Sequence, residues 1–94
     1  MPRVPSDAAA HIGRRINATR RDRGLTQDEV AARSGIDSSN VRAYEGGRSM
    51  PSVHTLMRFA DTLGVEPSEL LIGLTLNMFV TDKEDGRRTR PVPK

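Results

Sequence analysis

The 94-residue chain contains no cysteine and no tryptophan, and only one tyrosine and two phenylalanines. Lack of cysteine excludes a disulfide framework and a thiolate metal site, and fits a reducing cytoplasm. With Tyr44, Phe59 and Phe79 as the whole aromatic complement, the core has to be aliphatic and modest. Self-association is then a natural way to bury more area. No apolar run approaches the roughly 18 residues of a membrane span, and the start lacks a secretory apolar region. His11 and His54 fall on different predicted helices, with no second His or Cys at metal-ligand spacing. No glycine-rich loop follows a strand, and no nucleophile–base pair stands out in the order of residues. The expectation is a chain that is not an enzyme and takes no cofactor and no metal.

Net charge is +3, and its distribution is uneven. Residues 1–23 carry six arginines against Asp7 and Asp22, net +4; residues 24–48 come to −1 and residues 49–74 to −2. From Thr75 onward five basic groups face three acidic ones, net +2. A bipolar chain of this kind suits an acidic polymer on one side. Any single arginine is equally well read as part of a solvated face.

What the chain does have is a stretch from Leu25 to Glu45, LTQDEVAARSGIDSSNVRAYE, that reads as two short helices around a tight turn. Thr26 and Glu29 form a T-x-x-E capping box, and Leu25 and Val30 have the spacing of a hydrophobic staple. The grammar repeats after Gly35: Ile36 and Val41 flank an N-cap at Asp37, so a second helix starts at Ser38. Gly35 stands where a helix exit asks for positive φ. Ala31 and Val41 offer a small and an apolar side chain to a close helix crossing. Helices this short need other elements to clamp them.

The flanks supply candidates. Residues 1–5 read as a flexible arm. Ser6 or Asp7 caps a helix to about Arg23, with Ala9, Ile12, Ile16 and Thr19 on one face. Ser52 caps another, striped by Val53, Leu56, Phe59, Ala60 and Leu63, and Gly64 ends it. Pro67 opens a short fifth helix at the favoured first position. The fold class expected is all-α, a five-helix bundle over residues 6–74, followed by a C-terminal extension over 75–94. Within that extension Leu74, Leu76, Met78 and Val80 alternate with polar residues, giving strand periodicity over 74–81. A lone strand leaves backbone groups unpaired, so it either pairs with the same strand of a second copy or packs on the fifth helix. Residues 87–94 are basic and proline-containing, a tail expected to be disordered.

The ordered set of motifs resembles the phage-repressor and Cro-like (XRE-type) helix-turn-helix family. It runs I-x-x-x-R at Ile16 to Arg20, G-L-T-Q-D-E-V-A at Gly24 to Ala31, and S-G-I-D at Ser34 to Asp37. It continues with V-R-A-Y-E-x-G-R at Val41 to Arg48, P-S-V-x-T-L at Pro51 to Leu56, and A-D-T-L-G-V-E-P-S-E-L-L at Ala60 to Leu71. Glu66 departs from the Ser or Thr cap common at that place, and nothing matches beyond Leu74. The resemblance implies a lambda-repressor-like bundle whose 38–45 helix lies in the major groove of double-stranded DNA. It implies base reading by Ser38, Ser39 and Ala43, with Asn40 at the edge and Arg42 off the groove-facing side but long enough to reach a phosphate or guanine. Asp37 has two readings, its own helix cap or contact with a cytosine amino group. Phosphate contacts are implied at Gln27, Gly47, Arg48 and Ser52, and a structural ion pair between Arg20 and Glu45. Tyr44 and Phe59 belong to the core.

The function expected is sequence-specific transcriptional regulation, as a repressor that binds a palindromic operator as a homodimer through Leu71, Leu74, Leu76, Met78 and Val80. The alternative is an antitoxin-like module whose C-terminal extension binds another protein, or a phage or restriction–modification controller. A bacterial or phage protein of the cytoplasm, associated with the nucleoid, is implied.

Overall fold

The computed structural model describes residues 6–79, and the 1–5 arm, Val80 and the basic 87–94 tail lie outside those residues. Four α-helices follow one another: α1 Asp7–Asp22, α2 Gln27–Ser34, α3 Ser38–Glu45 and α4 Val53–Leu63. Each begins at a side chain that accepts from its own first turn. Ser6 Oγ takes the Ala9 amide at 3.0 Å, Thr26 Oγ1 that of Glu29 at 3.0 Å, and Ser52 Oγ that of Thr55 at 3.1 Å. The Thr26 cap is reciprocal, because Glu29 Oε1 accepts from the Thr26 amide at 2.8 Å. Between α2 and α3, Gly35 adopts φ +80°, a left-handed conformation that carries the chain around in three residues.

The core collects one stripe from every helix. Ile12 and Ile16 of α1, Val30 of α2, Val41 of α3, and Leu56, Phe59 and Leu63 of α4 are buried together. Leu70, fully buried, closes the cluster from below α4. Tyr44 meets Phe59 edge to face, ring centres 5.9 Å apart at 85°, so the aromatics serve packing. Gly13 lets α1 and α3 approach at backbone distance: a methyl there would stand 2.6 Å from the Glu45 carbonyl oxygen and closer still to that of Tyr44.

The C-terminal part differs from the expectation in two respects. The fifth helix, Pro67–Leu71, is a 3-10 helix whose Glu66 cap makes no side-chain hydrogen bond. Its carbonyl end is tied to α1 instead: Arg15 donates from Nε and Nη2 to the Glu69 carbonyl at 3.0 and 2.8 Å, and His11 Nε2 meets the Ile72 carbonyl at 2.6 Å. The strand over 74–81 is not formed in its described part. Leu76–Met78 is a single 3-10 turn, closed by Met78 N–H to Thr75 at 3.1 Å and Phe79 N–H to Leu76 at 3.1 Å. The alternation of side chains was real, but a strand needs a neighbour to take its backbone groups. Among the described residues these groups are met by local i to i+3 bonds. Leu71 and Leu74 pack on the core, Met78 is half-buried, and Leu76 stands out at 83% exposure.

Candidate nucleic-acid interface

α3 is held at its back and at its end, and free at its start. Val41 is fully buried and fastens the helix to the core. At its last residue, Glu45 receives Arg20 Nε at 2.6 Å and Arg20 Nη2 at 3.0 Å, with side-chain exposures of only 11% for Arg20 and 3% for Glu45. Asn17 Nδ2 at 2.8 Å and Gln27 Nε2 at 3.0 Å donate to the same carboxylate, and Arg20 Nη1 also reaches the Leu25 carbonyl at 2.7 Å. Burial by itself would push the Glu45 carboxyl up; the bonds from Arg20, Asn17 and Gln27 outweigh it and hold the group below its ordinary value. This junction ties α1, α2 and the end of α3 into one unit.

The start of α3 is built differently. Asp37 accepts from the Ser39 amide at 3.1 Å and from the Ser39 hydroxyl, so the cap is doubled by a side chain. Those bonds, the hydroxyl first, keep the Asp37 carboxyl below its usual range. Ser39, Asn40 and Arg42 are exposed, while Ser38 and Ala43 are half-buried. A surface of short polar side chains and a methyl, raised on a clamped helix, has the width and chemistry to meet base edges. Arg42 leans the other way: its Nη2 lies 3.2 Å from Asp28 Oδ1 of α2.

The residues assigned to phosphate are unequal in their freedom. Gln27 is half-buried and gives one amide hydrogen to Glu45, which leaves the second for an oxygen outside the protein. Ser52 is exposed, yet its hydroxyl caps α4 and donates to Thr55 Oγ1 at 3.1 Å. Gly47 is buried at φ +76°, where a methyl would come within 2.9 Å of the Ala10 Cα, so the chain passes tightly over α1. Exposed Arg48 follows, its backbone amide bound to the Ala43 carbonyl at 2.9 Å. Asn17, Gly13, Asp28 and the pair His11–Arg15 are contributors that sequence reasoning missed. Asn17 alone left a signal, since it precedes Arg20 by three residues and so shares its helix face.

An open hollow of about 320 Å³ runs along α1 between Arg15, Thr19, Arg23, Val65 and Glu69, and no residue of α3 lines it. Among the described residues no helix is long and apolar enough to cross a membrane.

Two helices joined by a three-residue turn, the second clamped at its end and bare at its start, define a helix-turn-helix DNA-binding protein. The chain belongs to the helix-turn-helix domain family, whose model matches residues 11–71, and its class is that of DNA-binding transcriptional regulators. It is similar to the uncharacterized HTH-type transcriptional regulator y4dJ of Sinorhizobium fredii, 43% identical over 60 residues, 64% of this chain and 78% of the relative. It is 35% identical over 60 residues to the immunity repressor protein of Bacillus phage phi105, covering 64% of this chain but 42% of that protein. Its fold is similar to the crystal structure of the restriction-modification controller protein C.AhdI from Aeromonas hydrophila, with a TM-score of 0.65 and 34% identity over 66% of this chain and 94% of that one.

Proposed function

We propose that the chain reads a specific double-stranded DNA sequence with the first turn of α3 and represses transcription as a homodimer on a palindromic operator. Ser38, Ser39, Asn40 and Ala43 face base edges in the major groove, and Arg42 supplies a further contact once it leaves Asp28. Gln27, Arg48 and Ser52 grip the flanking phosphates, which fixes register without reading sequence; the buried Gly47 amide, implied by the resemblance as a fourth grip, is instead bound to the Tyr44 carbonyl at 3.1 Å. The observation that carries this reading is the contrast along α3: buried Val41 and the Glu45 junction fix the helix, while Ser39 and Asn40 are exposed. Small reading side chains give little affinity per copy, so two half-sites about one helical turn apart are required. The reading gives the chain no catalytic role and a cytoplasmic setting.

Self-association falls to the C-terminal side, where Ile72 and Leu76 are exposed beside half-buried Leu71, Leu74 and Met78. The same exposed apolar residues favour a second reading, in which this segment docks another protein in the manner of an antitoxin. Selection of binding sites from random duplexes, followed by footprinting at several salt concentrations, tests the main reading. A palindromic word with a steep salt dependence supports it; pools without any enriched word would overturn it. Sedimentation with and without the selected duplex separates a homodimer from a monomer that awaits another partner.

A further inference from the structure

Ser39 is an ambiguous reader in isolation, because a hydroxyl donates one hydrogen bond and accepts others. Its surroundings remove the ambiguity. The Asp37 carboxylate is an acceptor only, so in the Ser39–Asp37 bond the serine must be the donor. The same Oδ2 accepts the Ser39 amide at 3.1 Å, which fixes the carboxylate against the helix start and makes this orientation part of the α3 cap. With its hydrogen committed, exposed Ser39 Oγ has only lone pairs left for a ligand, and the Asp37 carboxylate can likewise only accept. The strong donor of this helix, Arg42, is turned to Asp28 on α2.

We propose that Asp37 and Ser39 form one acceptor-only unit that selects an exocyclic amino group, adenine N6 or cytosine N4, at the base pair under the start of α3, and rejects guanine O6 and N7 there. The inference rests on the major-groove reading given above and deepens it. It assigns Asp37 a specificity-determining role through Ser39, in addition to its cap. An ionised carboxylate near DNA carries a cost in repulsion, and a preference enforced at one base pair is what offsets it. Asp37 stays ionised at any pH suited to binding, because the serine hydroxyl and amide hold its carboxyl below the usual range.

The test uses the full chain and its selected duplex. At each base pair under α3, the amino group is deleted by placing unsubstituted purine for adenine, or 2-pyrimidinone for cytosine. Parallel duplexes carry 7-deaza purines, which remove the N7 acceptor. At one position, amino deletion weakens the wild type by about fivefold, as expected for one neutral hydrogen bond, and leaves Ser39→Ala unchanged. N7 removal at that position has no effect. Asp37→Asn, which preserves the cap but adds an amide donor, gains at least about threefold in tolerance of guanine there. Circular dichroism confirms that both variants are folded. If Ser39→Ala responds to amino deletion as the wild type does, or if N7 removal is what weakens binding, the inference falls while the major-groove reading stands. If no duplex is selected at all, both fall together.

Discussion

The two ends of α3 spend their polar groups in opposite ways. At Glu45, four donor nitrogens from Asn17, Arg20 and Gln27 converge on one carboxylate sealed from solvent. At Ser39, a single neighbouring acidic side chain engages the hydroxyl, and the residue is exposed. A hydrogen or lone pair used to hold the fold is no longer available to a ligand, and one left free contributes little to stability. An eight-residue helix cannot keep its own shape in water. Its first turn is therefore kept bare, at the cost of a heavily bonded anchor one helix length away.

Breaking the anchor should have the largest effect. Glu45→Leu leaves the Arg20 guanidinium buried without its partner and is expected to cost about 3–5 kcal/mol in denaturant unfolding. The double variant Arg20→Met, Glu45→Leu should recover much of that loss, because no charge is then stranded. A double variant as unstable as the single one would mean that geometry, and not the stranded charge, sets the loss. Next comes Gly13→Ala, whose methyl meets the Tyr44 and Glu45 carbonyls; prying α1 from α3 is expected to cost about 2–3 kcal/mol, read as a lowered melting temperature.

Acid should erode the anchor more gradually. The folded Glu45 carboxyl lies below its ordinary value near 4.5, so the unfolded chain binds the proton first. The stability this group supplies is complete above that value and is lost as pH falls through the folded one. Glu29 and Asp37 are lowered as well and add to the same slope. Urea midpoints measured from about pH 7 to about pH 3 should thus fall for the wild type, and less steeply for Glu45→Gln. Equal slopes would remove Glu45 from the account. The smallest effect belongs to the free end: Ser39→Ala should shift unfolding by no more than about 0.5 kcal/mol while altering which duplexes bind. A loss well above that would make Ser39 part of the scaffold and dissolve the contrast.

Much of this was legible in the chain, and for local reasons. Caps and staples act within four residues, so Thr26 with Glu29, Ser52 before Val53, and the Gly35 turn announce their helices without any knowledge of the rest. Arg20 and Glu45 are 25 residues apart, and only the resemblance to a known motif paired them. Asn17, which donates to the same carboxylate, is marked only by its spacing of three from Arg20 on the same helix face. The alternation from Leu74 onward misled for an instructive reason: period-two patterning states which faces a strand would have, not whether a partner exists to pair with it.

The sequence by itself determined where the four helices begin and end to within a residue, most of the residues that turn inward (Val53, placed in the α4 stripe, stands out at 75% exposure), and that a two-helix unit sits at the centre of the chain, since propensity, capping and periodicity are properties of neighbours along the backbone. Tertiary structure alone decided the rest. It chose which nitrogens meet at Glu45, set α1 against α3 at the methyl-free Gly13, tied His11 and Arg15 to the carbonyls of Ile72 and Glu69, and aimed Arg42 at Asp28. Such contacts join residues far apart in the chain, and their geometry exists only once the core has closed around it.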